Sequence, residues 1–149
     1  MDKPKRILPP VYFLAAILVM AVLHFLLPIM QIIPSSYSGG GLMILLGIAV
    51  VLWAAWLFNR AGTAIKPFEE STQMIVSGPY RWSRNPIYLG LVFILFGIGL
   101  ALGTLSPFLV IPVFVWIIQK RFISHEEAML EKRFCAAYAE YKKRIRRWL

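Results

Sequence analysis

Apolar residues dominate four stretches of the chain, and the lengths of these stretches predict membrane-spanning helices. Residues 11–27 and 41–58 contain no charged side chain, and residues 87–119 form one uncharged run. At about 1.5 Å per residue that run would make roughly 50 Å of helix, more than a hydrocarbon core of about 30 Å. It must therefore fold back on itself. The sequence "GTLSP" at 103–107 predicts the turn, because glycine often ends a helix and proline often starts one.

This pattern predicts an all-α integral membrane protein with about four transmembrane helices in a single domain, residues 1–149. A cytoplasmic loop at 59–86 is expected between the second and third spans, and an amphipathic cytoplasmic helix at 124–149 is expected to end the chain. The third and fourth spans form a helical hairpin at 87–123. We expect the four spans to lie at about 9–30, 40–58, 87–103 and 107–123.

The C-terminal helix has an apolar stripe opposite a basic side. Apolar residues recur there at steps of three and four, which is typical of an amphipathic helix; they are Leu130, Phe134, Ala137, Tyr138, Tyr141, Ile145 and Trp148. Ser124 and Glu127 have the spacing of a capping box, so a helix is expected to start or restart at Ser124. Cys135 is the one cysteine and is expected on a face of this helix, without an intramolecular disulfide.

Composition and charge support a bilayer as the solvent. The chain is 59% hydrophobic, more than a soluble domain of 149 residues can bury. It carries 16 Lys and Arg against 7 Asp and Glu, yet segments 28–40 and 103–107 contain no basic residue. With four spans every basic side chain falls on one side, and the positive-inside rule makes that side, with both termini, cytoplasmic at the cell (inner) membrane. Membrane lipids, rather than nucleic acid, are the expected partner of this charge.

His24 lies inside the first predicted span, which we interpret as a retained helix and not as a cleaved signal. A histidine within a membrane is a functional candidate by default. The predicted spans contain no acidic residue that would pair with it. A packing or interface role is therefore expected for His24.

The candidate chemistry lies in two polar stretches on the cytoplasmic side. "SGPYRWSRNPIYLG", residues 77–90, begins with a tight turn and leads into the third span, with Pro86 in the first helical turn. Arg81 and Arg84 are three residues apart and are expected to face one ligand. An interfacial anchor of arginine, tryptophan and tyrosine is the simpler alternative, but the stretch is more crowded than anchoring requires. The second stretch is "SHEEAMLEKRFCAAYAEYKKRIRRWL", residues 124–149.

Together the two stretches resemble the isoprenylcysteine carboxyl methyltransferase and phospholipid methyltransferase superfamily. Its signatures are G-P-Y-R-x-x-R-(H/N)-P-x-Y-x-G, then E-E-x-x-L with F-G, Y-x-x-Y and a late arginine. "AGTAIKP", residues 61–67, is similar to the G-T-x-x-x-P element that precedes them. Asn85 stands where the prenylcysteine enzymes have histidine, and this asparagine resembles the prokaryotic-type branch of the superfamily. Cys135 replaces the glycine that usually follows Phe134.

The resemblance implies S-adenosylmethionine as cofactor and a lipophilic acceptor that enters from the membrane, with no metal. It implies catalytic roles for Arg84, Asn85, Tyr88 and Glu127. The cofactor-binding positions that it implies are Tyr80, Arg81, Arg84, Asn85, Pro86, Tyr88, Leu89, Gly90, Glu126, Glu127, Leu130, Tyr138 and Arg147. The expected function is methyl transfer to a lipid or lipidated small acceptor, a carboxylate or an amine, at the cytoplasmic membrane face.

The residue types suit that cofactor on their own chemistry. Arg84 or Arg81 can bind a carboxylate, and Glu126 or Glu127 can bind ribose hydroxyls or an ammonium group. Tyrosine rings can face an adenine or a sulfonium. A carboxylate acceptor needs no general base, whereas an amine acceptor would need Glu127 or Tyr88 to take its proton. The sequence contains no G-x-G-x-x-G, which excludes the soluble dinucleotide-type methyltransferase fold.

Two other function classes remain as alternatives. A membrane reductase of the sterol-reductase type, which uses NADPH, has a similar C-terminal pattern, but this chain has few spans and is short. A non-enzymatic small four-helix membrane protein is the other. Small ion-coupled exporters of that kind need an intramembrane carboxylate, and the predicted spans contain none. The identity of the acceptor and the oligomeric state are left open.

Overall fold

The computed structural model describes residues 8–31, 37–62 and 73–149, and these residues form five α-helices. A 3₁₀ turn, Gly78–Arg81, precedes the third helix, and a second, Ser106–Leu109, precedes the fourth. A π-helical turn, Gln119–Ile123, joins the fourth helix to the fifth. The helices are α1, Pro9–Leu26; α2, Tyr37–Arg60; α3, Pro86–Leu102; α4, Val110–Ile118; and α5, Ser124–Arg144.

Three helical segments of the described chain are long and apolar enough to cross a membrane: Pro9–Leu26, Tyr37–Arg60 and Ser106–Arg144. The last has 39 residues, roughly 58 Å of helix, so about half of it extends beyond a hydrocarbon core of about 30 Å. The segment that extends beyond it lies within the charged part, which begins at Lys120. α3 is apolar but has 17 residues, about 26 Å. The prediction of an all-α, multi-pass membrane protein is confirmed.

A buried apolar cluster holds α1 against the hairpin of α3 and α4. Met20 of α1, Leu95 of α3 and Ile118 of α4 are fully buried in it. Phe13 and Phe114 meet edge to face, with ring centroids 6.3 Å apart. Large apolar side chains on the outer sides of α1 and α2 are exposed, as expected where a helix faces lipid instead of water.

Glycines bring α2 and α3 into close contact. A Cβ on Gly97 would lie 2.6 Å from the Gly40 carbonyl oxygen, and one on Gly90 would lie 2.7 Å from the Gly47 carbonyl oxygen. Side chains at these positions would push the two backbones apart, which is why small residues are enriched at such interfaces. Gly90 and Gly97 therefore allow the close packing of α2 and α3.

The turn between α3 and α4 forms as the sequence predicts. Gly103 ends α3 in the left-handed conformation, with φ of 74°, and its N–H donates to the Gly99 carbonyl at 3.0 Å. Glycine adopts this conformation without steric cost. The turn is also tied to the end of α1, because the Ser106 hydroxyl donates to the Leu23 carbonyl at 3.3 Å.

His24 has a structural partner at this same end of the molecule. Its Nδ1 lies 2.9 Å from the hydroxyl oxygen of Thr104, which is buried. The contact joins α1 to the α3–α4 turn. The expected packing role of His24 is confirmed.

The predicted capping box at Ser124 is wrong. Ile123 has helical dihedrals, φ of −58° and ψ of −48°, so the chain remains helical from α4 into α5 and leaves no free N–H groups to cap. The Ser124 hydroxyl instead donates to the Gln119 carbonyl at 2.8 Å. The π-helical turn contains one extra residue per turn. The expected restart at Ser124 is present, because α5 begins there, but it follows a continuous helix and not a capped start.

Cys135 lies at a kink in α5 and not on a regular helix face. Its φ of 40° and ψ of −111° interrupt the helix, and its side chain is exposed. Glycine is the residue that adopts positive φ without strain. The glycine that usually follows Phe134 in the similar sequences would therefore suit this conformation better than cysteine does.

Some predictions fall outside the described residues. These are most of the "AGTAIKP" element and the part of the predicted cytoplasmic loop at 63–72.

Candidate functional site

The segment before α3 is fixed against the end of α2. Gly78 has a φ of 59° and opens the 3₁₀ turn, so the tight turn predicted at 77–79 is present. The Tyr80 and Phe58 rings meet edge to face, with centroids 5.7 Å apart. Tyr80 is 7% exposed and Ser83 is 1% exposed. The backbone that carries Arg84 is thus held in one place.

The C-terminal tail, residues 145–149, returns to this segment. α5 ends at Arg144, and Ile145 is extended. The Arg84 N–H donates to the Arg146 carbonyl at 3.0 Å. The Ser83 hydroxyl and the Asn85 amide both donate to the Arg147 carbonyl, at 3.2 and 3.1 Å. The tail therefore lies alongside residues 83–85.

A buried carboxylate joins the two stretches that the sequence singled out. Glu127 Oε1 lies 3.2 Å from Arg84 Nη2 and accepts from Arg147 Nε at 3.2 Å, while Oε2 accepts from Arg147 Nη2 at 2.6 Å. The Arg84 and Glu127 side chains are 10% and 9% exposed. The hydrogen bonds to Glu127 raise the pKa of Arg147 above its ordinary value, so this guanidinium stays charged. Two cations around one anion leave the cluster with a net positive charge.

Part of the Arg84 guanidinium has no partner within the described residues. Its Nε and Nη1 are buried without a hydrogen bond, and so is the Tyr138 hydroxyl. Buried polar groups are nearly always satisfied, so donors left over from a charged group call for an explanation. A polar ligand with an anionic group would satisfy them, and the net positive charge would favour it.

The second carboxylate, Glu126, has a different environment. Its Oε1 accepts from the Tyr88 hydroxyl at 2.7 Å, and no described basic side chain forms an ion pair with it. Tyr80 lies nearby, and the Tyr141 hydroxyl donates to the Tyr80 carbonyl at 2.6 Å. Burial, with Tyr141 and Glu126 adding to it, raises the pKa of the Tyr80 phenol above its ordinary value, so the ring stays neutral.

Most of the predicted site residues meet at this end of the helices. Arg81 is exposed whereas the Arg84 side chain is 10% exposed, so the expectation that both face one ligand is not met. Pro86 and Leu89 are buried in the first turns of α3, Gly90 packs against α2, and Leu130 is partly buried on α5. The residues brought together are Tyr80, Arg84, Asn85, Tyr88, Glu126, Glu127, Tyr138 and Arg147.

Sequence reasoning missed two residues of this region. Ser83 accepts from the Asn85 N–H at 3.1 Å while it binds the tail, and Gln119 accepts from the Trp148 indole N–H at 3.1 Å. Serine and glutamine are too common at membrane surfaces to stand out in one sequence. The position of Ser83 between Arg81 and Arg84 was the only available signal.

Comparison with known proteins matches residues 35–137 to the family described as phospholipid methyltransferase. The chain belongs to the phospholipid methyltransferase family. Membership implies a methyl donor. The match to the family includes Arg84 and Glu127 but ends before the tail that carries Arg147.

Two curated relatives extend this result. The chain is 35% identical over 143 residues to the protein-S-isoprenylcysteine O-methyltransferase of Saccharomyces cerevisiae, covering 87% of this chain and 58% of the yeast protein. It is 38% identical over 63 residues to an uncharacterized protein of Haemophilus influenzae, which is 42% of this chain and 100% of that protein. No solved structure matches the chain. The chain thus spans just over half the length of the yeast enzyme.

Proposed function

We propose that the protein is an integral membrane methyltransferase that uses S-adenosylmethionine and methylates a lipid or lipidated small acceptor at the cytoplasmic membrane face. The observation that carries the proposal is the Arg84–Glu127–Arg147 cluster around the buried Glu127, in which Arg84 retains buried, unpartnered donors at Nε and Nη1. Membership of the phospholipid methyltransferase family supports the reaction class.

The residues present fit S-adenosylmethionine. Its carboxylate suits the free donors of Arg84, since a buried guanidinium pairs well with a carboxylate. Glu126 is the carboxylate without a described cation, so it suits the ammonium group or the ribose hydroxyls of the cofactor. The faces of Tyr80, Tyr88 and Tyr138 suit the adenine or the sulfonium. When bound, the cofactor supplies an electrophilic methyl group.

The protein's own contribution would be alignment and exclusion of water, because methyl transfer is an in-line displacement. Glu127 holds Arg84 and Arg147 in fixed orientations. Asn85 supports this arrangement by binding the tail through the Arg147 carbonyl. These residues would set the position of the donor before the acceptor arrives.

The acceptor would reach the site from the bilayer, because the cluster lies at the start of α3 and just beyond the apolar part of the last span. A carboxylate acceptor, as the name of the yeast enzyme indicates for that protein, needs no base. An amine acceptor must lose a proton first. Glu126 would be the better proton acceptor, because Glu127 is neutralised by two guanidinium groups.

The distribution of lysine and arginine between the two ends of the helices supports a location in the cell membrane with the site on the cytoplasmic side. Arg60, Arg84 and Arg121 lie at the ends of helices that meet at the cluster, whereas the described residues around Gly103 at the opposite end carry no lysine or arginine. By the positive-inside rule, this asymmetry supports a cytoplasmic position for the cluster.

Calorimetric titration of the purified protein in detergent tests the cofactor. We expect micromolar binding of S-adenosylmethionine and no binding of NADPH. Binding of NADPH alone would favour the membrane reductase alternative. Binding of neither ligand by folded protein would contradict the proposed function and leave the cluster with a structural role.

A further inference from the structure

The tail is held at a second point, away from the ion cluster. The Trp148 indole N–H donates to Gln119 Oε1 at 3.1 Å, and the Trp148 ring packs against the buried apolar cluster of α1, α3 and α4. Both side chains are partly buried. Trp148 is the residue that follows Arg147, so its position limits where the Arg147 guanidinium can lie.

Gln119 stands at the first residue of the π-helical turn that separates α4 from α5. Its backbone carbonyl accepts the Ser124 hydroxyl at 2.8 Å while its side chain accepts from Trp148. The turn therefore sets two directions at once: that of α5, which carries Glu127, and that of the tail, which carries Arg147. π-helical turns are often found at functional sites.

The tail has few other contacts with the helices. Beyond the Arg146 and Arg147 backbone hydrogen bonds to residues 83–85, the described contacts of the tail are the Arg147–Glu127 pair, the Trp148–Gln119 bond and the packing of the Trp148 ring against the apolar cluster. Arg147 is also the most exposed member of the ion cluster, at 36% of its side chain. An exposed cation on a short tail would leave Glu127 readily unless a neighbouring contact held it.

We propose that Trp148 and Gln119 are positioning residues that fix the tail so that Arg147 stays on Glu127 and Arg84 keeps its free donors oriented toward the ligand. This inference rests on the proposed function for its consequence, cofactor affinity, but the attachment of the tail is measurable without any ligand. The role assigned to both residues acts through Arg147 and Glu127 and requires no contact with the cofactor.

The test uses the full-length protein with Trp148→Phe, Gln119→Leu and the double variant. Phenylalanine keeps an aromatic ring but lacks the indole N–H, and leucine lacks the acceptor. Each single variant should raise the Kd for S-adenosylmethionine about 3- to 10-fold, the range expected for one lost hydrogen bond. The double variant should be no weaker than the worse single one, because both changes remove the same bond. Gln119→Glu, which keeps an acceptor oxygen, should restore most of the affinity.

Hydrogen exchange measured without ligand reports on the tail itself. The Arg84 N–H donates to the Arg146 carbonyl, so release of the tail should speed exchange in the segment around Arg84 in both single variants. Trp116→Phe is the matched control, because Trp116 is 62% exposed on α4. It should change neither the Kd nor the exchange.

The outcomes separate the positioning role of Trp148 and Gln119 from the proposed function. Unchanged affinity in Trp148→Phe and Gln119→Leu, or additive losses in the double variant, would overturn the positioning role. A lower unfolding temperature with an unchanged Kd would show a merely structural contact and would overturn it too. If the wild-type protein does not bind S-adenosylmethionine, the proposed function fails. Exchange around Arg84 then still decides whether the Trp148–Gln119 bond attaches the tail.

Discussion

Arg84 Nη2 lies 3.2 Å from Glu127 Oε1, and this ion pair joins the segment before α3 to α5. The two residues are far apart in the sequence and come from the two stretches that carry the resemblance to methyltransferases. Arg147 reaches the same carboxylate from the tail. One buried anion thus connects the three parts of the chain that form the site.

Substitution of Arg84 tests whether this cluster binds the cofactor. Arg84→Ala removes the buried donors Nε and Nη1, and hydrogen bonds to charged groups contribute about 1.5–3 kcal/mol each. The Kd for S-adenosylmethionine should therefore rise at least about 10-fold, as measured by calorimetry. Arg81→Ala is the matched control, since Arg81 is exposed, and it should bind nearly as the wild type. Equal affinity in both variants would remove Arg84 from the site.

Substitutions of the neighbouring carboxylates Glu126 and Glu127 should differ in their effect on the free energy of unfolding. Glu127→Gln leaves the buried Arg84 and the partly buried Arg147 without an anion, and we expect a loss of about 2–3 kcal/mol in the free energy of unfolding. Glu126→Gln keeps an acceptor oxygen for the Tyr88 hydroxyl, so its loss should stay within about 0.5 kcal/mol. Unfolding by SDS in mixed micelles, followed by circular dichroism, measures both. Similar losses would show that the ion cluster is not the stabilising feature.

The contact between α2 and α3 predicts that alanine substitutions at Gly97 and Gly41 change stability in opposite directions. Gly97→Ala places a methyl group 2.6 Å from the Gly40 carbonyl oxygen, and overpacking of this kind costs about 1–3 kcal/mol. A Cβ on Gly41 has nothing within 4 Å. Gly41→Ala should therefore stabilise slightly, because alanine favours helix by up to about 1 kcal/mol over glycine. The same unfolding assay compares them, and a stable Gly97→Ala variant would rule out the close approach.

The kink at Cys135 predicts a stabilising substitution. A non-glycine residue with φ of 40° is strained by about 1–3 kcal/mol, and glycine relieves that strain at an entropic cost of about 0.5–1 kcal/mol. Cys135→Gly should therefore raise the unfolding midpoint. Cys135→Ala retains the Cβ and should change it little. A lower midpoint for Cys135→Gly would mean that the helix does not kink there.

The helices and the hairpin turn were predictable because they depend on local chemistry. Long uncharged runs favour helices that lie in the bilayer. Gly103 ends the first of the two helices in the run at 87–119. The residues that meet at the candidate site were predictable as a set, because arginines, carboxylates and tyrosines follow each other in a recognisable order; their roles stay a prediction. Which of them pair was not predictable, since Arg147 reaches Glu127 only because the tail turns back along residues 83–85.

The wrong expectations have a common physical origin. The S-x-x-E spacing at Ser124 caps a helix only where a helix begins, and the π-helical turn at 119–123 keeps the chain helical through that point. Arg81 and Arg84 would share a face only on a continuous helix, whereas the chain leaves the 3₁₀ turn at Trp82. Neither interruption has a signature in the local sequence.

Transfer of a labelled methyl group tests the central claim most directly. Purified protein in lipid nanodiscs is incubated with S-adenosylmethionine labelled on its methyl group, with either a prenylated cysteine or phosphatidylethanolamine as acceptor. We expect label in the extracted lipid for at least one acceptor, base-labile for a methyl ester and base-stable for a methylamine, and a loss of about 10-fold or more in Arg84→Ala. Folded wild-type protein that labels neither acceptor would contradict the account.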